Sequence, residues 1–582
     1  MKKKFVQIAA LCLSAALLAV SGGRQTASAG SSDTSGKVIR VGLHHDGPYG
    51  TGAMEGLNLA NKTGSGFRFG YYDSSNRFVP LGAVEQEAVS VVKTTNVYYG
   101  TYNSYTSYHS ALTASAVAVG VYHLQLPGTY STYEEARSAA AGYEGGFPAY
   151  IGGEYFARVG NYTTRDKAVA AQTALARERG VETVLKGTSV YGVNVVITGT
   201  NTILFQFDDL GEGTGLGVEP NASGSGKYIT LSKGCLYYGG FRFERVGGGS
   251  MTVVNILELE DYVKGVVPHE MSNSWPIEAL KAQAVAARSY ALSLGVKHSD
   301  RHFDICDNTH CQAYSGQTRA GSNSDAAVEQ TAGQVVLYNN EVAETFYYSS
   351  NGGASESSST VWGGNQTAHP YLVGKVDPYE AASGVTNDYT KTVSSDTLVA
   401  GLKRLGYNDV GGSIVSVAVA SLTDSGNPKQ VTFTDSNGKQ FTINTRYVVN
   451  MVGLRSYRYG FESTTQQPSA SGVSINGSAT VDSSSGLYTI DGNGNVAPLA
   501  GDIYVMTGNG TVRLEQGGTG NADGLGSLSS TTGSGGLFTF IGKGWGHNVG
   551  MSQWGAYAMA QQEYTYLQIL QFYYTGITVG YM

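Results

Sequence analysis

The chain is poor in charge. Only 14% of its 582 residues are charged. Its 38 Lys and Arg do not balance 45 Asp and Glu, and the formal net charge is -7. A basic footprint for nucleic acid is therefore excluded. No apolar run after the first twenty residues is long enough to span a bilayer. Cysteine is scarce too. Of four, Cys12 lies in the N-terminal apolar run, which leaves Cys235, Cys306 and Cys311. An odd number argues against a disulfide framework, and Cys235 has no evident partner. What is abundant is Gly, at 80, and Tyr, at 40. The surface is thus built from Ser, Thr, Asn, Gly and Tyr. The amphipathic Tyr ring suits carbohydrate faces, and also strands and interfaces.

Lys2-Lys3-Lys4, an apolar run from Phe5 to Val20 and Ala27-Ser28-Ala29 form the layout of a cleavable secretory signal, with the cut expected after Ala29. The expected location is secreted and cell-wall associated. Residues 30–119 read as a linker and N-terminal strands, with Val38 to Leu43 alternating as a strand.

An internal duplication follows. Val121-Tyr122-His123-Leu124 leads into Gly128-Thr129-Tyr130-Ser131-Thr132 and a helix from Tyr133. Tyr155-Phe156-Ala157-Arg158-Val159 leads into Gly160-Asn161-Tyr162-Thr163-Thr164 and a helix from Arg165. The pattern predicts a β-α-β-β-α-β unit over 120–190, with Thr132 and Thr164 as helix N-caps. These paired turns, with Glu135-Ala136, Lys167-Ala168 and Arg158-Val159-Gly160, resemble the SPOR domain, a peptidoglycan-binding module. The resemblance implies that Tyr155 and Arg158 contact glycan.

Residues 191–582 read as one strand-rich region with an insertion at about 463–536. The overall fold class is α+β. Leu257 to Met271 reads as an apolar strand and a short loop, followed by a helix capped near Ser274. In that helix Ile277, Leu280, Ala284, Ala287, Ala291 and Leu294 recur at spacings of three and four, as one apolar face. Lys281 and Arg288 lie seven apart on another face, either meeting substrate or solvent. Glu270 sits between Pro268, Met271 and Trp275, neighbours that restrict water. Such a setting favours the protonated carboxyl that a general acid requires.

Two further motifs stand out. One is Phe303-Asp304-Ile305-Cys306-Asp307-Asn308-Thr309-His310-Cys311-Gln312-Ala313-Tyr314. The other runs from Gly544-Trp545-Gly546-His547-Asn548 to Ser552-Gln553-Trp554-Gly555-Ala556. With E-D-Y-V-K-G-V-V-P-H-E-M and A-L-K-A-Q-A-V-A-A-R-S-Y, they closely resemble the SpoIID/LytB family of sporulation and cell-wall proteins. The family's usual second Gly after the His is Asn548 here. The resemblance implies a lytic transglycosylase with Glu270 as its acid/base, acting on glycan already stripped of stem peptides. Substrate contacts are expected at Arg288, His310, Gln312, Tyr314 and Ser349, and at His547, Ser552 and Gln553, where a Gly-rich loop lets backbone approach a sugar closely. Ser349 belongs to the family-like Tyr347-Tyr348-Ser349-Ser350-Asn351-Gly352-Gly353 stretch.

Cys306 and Cys311 offer two thiolates to zinc, with His302 expected as third ligand and His298 in reserve. If Thr309–Gln312 is extended, His310 points away from Cys311, toward substrate. Such zinc is expected to be structural. A Cys306–Cys311 disulfide is the alternative. Asp304 and Asp307 are candidates for the second carboxylate that hydrolysis needs. The LytB side of the family also raises a non-catalytic glycan-binding scaffold or an activator of a wall amidase.

Overall fold

The structure, a computed structural model, describes residues 36–61, 64–102, 105–221, 229–231, 234–461, 530–533 and 536–581, with short strands between 472 and 514. The expected signal segment lies outside the described residues. The chain divides into two compact units, one built from residues up to 345 with 577–581, the other from 346–576.

The first unit carries two large sheets. In the seven-stranded one, Val38–His44 lies between Ile305–Cys306 and Thr252–Glu258, and the sheet continues through Gly240–Glu244, Leu216–Pro220, Phe67–Tyr72 and Phe78–Val84. Strand Thr252–Glu258 is buried on both faces except at Glu258, so its sequence reads as an apolar run. The ten-stranded sheet begins with Val184–Lys186, Tyr122–Gln125, Glu154–Tyr162 and Gly146–Ile151. With helices Tyr133–Ala141 and Arg165–Arg179, these have the element order expected from the duplication. Thr132 and Thr164 accept from Glu135 N and Lys167 N, the capping read from sequence. The sheet then continues from Gly146–Ile151 into Ile203–Asp208, Val193–Ile197, Ala88–Lys93 and Gly56–Asn61. The boundary expected near 190 therefore runs through a continuous sheet. Of the strands before 120, Val38–His44, Phe67–Tyr72 and Phe78–Val84 enter the seven-stranded sheet, Gly56–Asn61 and Ala88–Lys93 the ten-stranded one, and Tyr98–Tyr102, Tyr105–Tyr108 and Ala116–Ala118 form a small sheet of their own.

Helix Leu259–Glu270 packs on the seven-stranded sheet, and helix Ile277–Ser293 packs against that helix and against strand Gln334–Tyr338. The first corrects the strand-and-loop expectation. Leu259, Tyr262, Val263, Val266 and Val267 are buried and spaced by three and four, a helical period that the Val-Val-Pro run obscures. Gly265 is needed there: an added Cβ would meet the Tyr314 ring at 2.5 Å and the Gly316 carbonyl at 3.0 Å. Helix Ile277–Ser293 forms as expected, but its N-cap is Pro276 with no side-chain cap, and Ser274 pairs with Ser272 instead; Gly295, at φ +57°, follows its end.

In the second unit, Leu537–Lys543 pairs with Tyr389–Ser394 and Arg458–Phe461. A four-stranded sheet joins Gln440–Asn444, Pro428–Asp435, Ile414–Leu422 and Ser530–Thr532. Tyr347–Tyr348 pairs in parallel with Met551–Ser552, ahead of helix Gln553–Gln561. Within the stretch read as an insertion, three short hairpins are described, from Gly472–Ile475 to Gly510–Leu514.

Candidate functional site

Glu270 is the last residue of helix Leu259–Glu270 and is half-buried. The chain turns immediately: Met271, buried, donates its N–H to the Val267 carbonyl at 2.9 Å, and Trp275 closes a turn onto Ser272. The helix end thus fixes the backbone of Glu270 while its side chain meets the surface. Its charge reaches the buried Tyr262, whose pKa is held well above its usual value by burial first, then by Tyr314, Cys311, Cys306 and Glu270. Tyr262 donates to Gln312 Oε1 at 2.8 Å, and Tyr314 donates to Asn255 Oδ1 at 2.8 Å.

The cysteines stand in a turn. Asn308 accepts from His310 N–H through its side chain and from Cys311 N–H through its carbonyl, each at 3.0 Å. This folds the segment so that adjacent residues share a side. His298 Nε2 lies 3.3 Å from Cys311 Sγ. His310 Nδ1 lies 3.6 Å from both Cys306 Sγ and Cys311 Sγ. One ligand atom from each of His298, Cys306, His310 and Cys311 lies within 4.8 Å of the others. The cysteines are unbridged. A hydrogen bond from the Cys306 thiol favours thiolate at Cys311, and the same bond holds Cys306 protonated. Two sulfurs and two imidazoles at these separations fit tetrahedral zinc, with bonds of about 2.0–2.3 Å. Tyr49 stacks on His310 at 4.0 Å and an interplanar angle of 7°.

His302 is not part of this group. It ends a 3-10 turn at φ +63°, and its Nδ1 pairs with Glu244 at 2.5 Å. The expected ligand His302 thus lies outside the group, which takes in the reserve His298 and also His310, placed here beside the cysteines and not turned away from them. The signal was in the sequence: Asp307-Asn308 is turn chemistry, and a turn puts His310 back on the cysteines. Asp304 is also committed. Arg40 holds it through Nε at 3.1 Å, Nη2 at 2.6 Å and the backbone N at 2.8 Å.

In the second unit, His547 sits among the rings of Phe346, Tyr348 and Trp362, with centroids at 6.1, 5.3 and 5.5 Å. Burial pushes its pKa down to about 4, so the ring is neutral at neutral pH. Its Nδ1 accepts from Val549 N–H at 3.1 Å, which leaves the proton on Nε2. A neutral ring has no extra proton to release at neutral pH. Asn548, buried at φ +61°, adopts the left-handed backbone that Asn tolerates better than most residues. Its side chain accepts from Tyr457 N and donates to the Asn351 and Ala354 carbonyls. Sequence reasoning saw only a lost glycine here. It also missed Glu380, a buried carboxylate that accepts from Ser350 Oγ, Asn351 N, Gly352 N and Ser552 Oγ.

A family model described as "SpoIID: Stage II sporulation protein" matches residues 247–338, which hold Glu270 and all four ligand-type side chains. An uncharacterized protein of Brachyspira hyodysenteriae is 30% identical over 352 residues, 60% of this chain and 73% of that protein. The chain belongs to the SpoIID family. It is also 32% identical to the Amidase enhancer of Bacillus subtilis over 317 residues, 54% of this chain but only 40% of that protein. Stage II sporulation protein D of Bacillus subtilis is 25% identical over 343 residues, 56% of this chain and 76% of that protein. Membership of the SpoIID family gives the chain a cell-wall-related role. Among the described residues, no helix is long and apolar enough to cross a membrane.

Several substrate contacts expected of a SpoIID chain are structural here. Arg288 is fully buried, held by both oxygens of Glu260 at 2.8 and 2.6 Å and by the Gln334 carbonyl. Gln312 and Tyr314 are buried beneath the helices, and His310 belongs to the Cys/His group. Ser552 is buried, caps helix Gln553–Gln561 and bonds Glu380. Gln553 is the nearly buried first residue of that helix. Ser349 stays half-buried, its carbonyl accepting from Trp554 N. Arg158 is 7% exposed and is bound by Gln125 and Gln206, because the sheet continues past its module into strand Ile203–Asp208. Tyr155 remains partly exposed, its hydroxyl on the Leu81 carbonyl and its ring 4.9 Å from Tyr150.

Proposed function

We propose that this chain is a peptidoglycan lytic transglycosylase that cleaves the MurNAc–GlcNAc bond of peptide-free glycan strands. The observation that carries the reading is Glu270: a half-exposed carboxyl at a helix end, inside the segment matching the SpoIID model. In this chemistry one carboxyl is enough. Its proton goes to the glycosidic oxygen as the C1–O bond breaks and the GlcNAc hydroxyl leaves. The resulting carboxylate then takes the proton of the MurNAc C6 hydroxyl, whose oxygen closes on C1 to form the anhydro ring. No water is consumed. The commitment of Asp304 to Arg40 removes one of the two candidates for the second placed carboxylate that hydrolysis needs.

The test is mass analysis of products from peptide-free glycan strands. Anhydro-MurNAc ends are expected. Reducing ends carrying added water would replace this reading with hydrolysis. Binding without any product would favour the second reading, an amidase activator or scaffold, which the 32% identity to the Amidase enhancer supports.

Zinc is proposed at His298, Cys306, His310 and Cys311, where it would brace the turn against the strand at Cys306. Four protein ligands close the coordination sphere, as in structural sites. Metal analysis of the purified chain should give about one zinc per molecule. Cys306→Ser and His310→Ala should each lower it severalfold, whereas His302→Ala should leave it unchanged. A wild-type chain without metal would end the proposal.

The 122–186 segment is proposed as a SPOR-like glycan-binding module, with Tyr155 and its neighbour Tyr150 as contacts in place of the buried Arg158. Tyr150→Ala with Tyr155→Ala should lower retention of the full chain on purified sacculi by about tenfold, the effect of two lost aromatic contacts. Unchanged retention would reject it.

A further inference from the structure

Asp261 and Glu270 lie nine residues apart on helix Leu259–Glu270. That spacing puts them on opposite faces and about 13 Å apart along the axis. On the Asp261 side the structure has a cavity of about 300 Å³. Its apolar wall includes Tyr72, Phe78 and Tyr238, and its carboxylates are Glu219, Glu258 and Asp261; neither Lys nor Arg lines it. The floor joins strands from before residue 85 to the start of the family-matched segment, so the cavity is a composite of both.

The carboxylates differ in how they are satisfied. Glu219 is paired with Arg68 and accepts from Tyr72 at 3.2 Å. Lys264, which acts on Asp261 through space, is hydrogen-bonded to Glu329 at 2.8 Å. The Asp261 carboxylate itself has no hydrogen-bond partner among the described residues; its backbone carbonyl accepts from Gln317. Burial pushes its pKa up to about 6. Glu219, Glu258 and Asp261 do not form a group close enough to hold a metal ion. Among the described residues the group close enough to hold an ion is His298, Cys306, His310 and Cys311. What the cavity lacks is one positive charge on a body that can lie against aromatic rings.

We propose that this cavity binds a primary ammonium group carried on a sugar or aliphatic body, with Asp261 and Glu258 as its counter-charges and Tyr238 beside it. A wall glycan supplies that chemistry as a de-N-acetylated hexosamine, and a stem peptide supplies it as a diamino-acid side chain. The site does not depend on the reading of Glu270.

The test is calorimetric titration of the full chain at neutral pH with glucosamine and n-pentylamine, beside N-acetylglucosamine and N-pentylacetamide. At least one amine should bind, and its acetylated counterpart should bind at least tenfold more weakly. The tighter amine identifies the source, sugar or side chain. Asp261→Asn should weaken binding about tenfold, the loss of a charge-assisted bond, with Glu258→Gln as a second variant that alters no buried group. Glu270→Gln should bind the amine unchanged, so loss of wall cleavage and loss of amine binding separate. Acetylated and free amines binding alike, or no amine binding at millimolar concentration, would overturn the proposal.

Discussion

Glu270→Gln is expected to bind glycan strands and produce almost no anhydro-MurNAc ends. Glutamine keeps the size and the hydrogen-bonding edge of the side chain but has no proton to give at the glycosidic oxygen and no charge to receive one from the C6 hydroxyl. General acid–base catalysis by a placed side chain contributes about 10²–10⁴-fold. A loss of that size is expected here, with strand affinity changed by less than a few-fold. Glu270 ends a helix and is half-buried, and glutamine keeps its size, so the thermal midpoint should move little. A fully active Glu270→Gln chain would sink the acid/base assignment. A chain that loses strand binding in step with cleavage would make Glu270 a binding residue.

Arg288→Ala should act through stability instead. Arg288 has no exposed surface, and its bidentate partner Glu260 keeps 21% of its side chain exposed. Removing the guanidinium leaves a largely buried carboxylate and the Gln334 carbonyl without their donor. Breaking a buried pair on one side costs about 3–5 kcal/mol. Glu260 also accepts from Gly333 N at 3.2 Å, so the damage extends to the turn before strand Gln334–Tyr338. Chemical denaturation should show a lowered midpoint. At a temperature where the variant remains folded, its KM for glycan strands should match the parent's. A raised KM with unchanged stability would restore Arg288 to the substrate.

The contrast between these two residues indicates what the sequence could reveal. Local periodicity and turn chemistry were readable: the caps at Thr132 and Thr164, the helix from Ile277 and the left-handed end at Gly295 all depend on a few neighbouring residues. The side on which a polar residue spends its hydrogen bonds was not. Arg288, Arg158, Gln312 and Ser552 look like surface polar groups along the chain, yet each meets a partner tens to hundreds of residues away, or lies under a neighbouring element. The zinc-type group was half legible. The cysteines announced it, but choosing His298 and His310 over His302 required knowing that Asn308 turns the chain. Glu380 had no signal, since its four donors come from two segments brought together by the parallel pairing of Tyr347–Tyr348 with Met551–Ser552.

The weave of the first unit has a consequence for the order of events after synthesis. Strand Val38–His44 finds its neighbours only at Thr252–Glu258 and Ile305–Cys306, and Gln334–Tyr338 takes Thr578–Tyr581. Those partners are separated by roughly two hundred residues or more, so closing them carries a high loop-entropy cost and slow, non-local folding. Strand Val38–His44 therefore waits for its first partner until residue 258 of the 582 has been made. Local hairpins such as Phe67–Tyr72 with Phe78–Val84 are available early, and the sheets are completed only once their distant strands have been made.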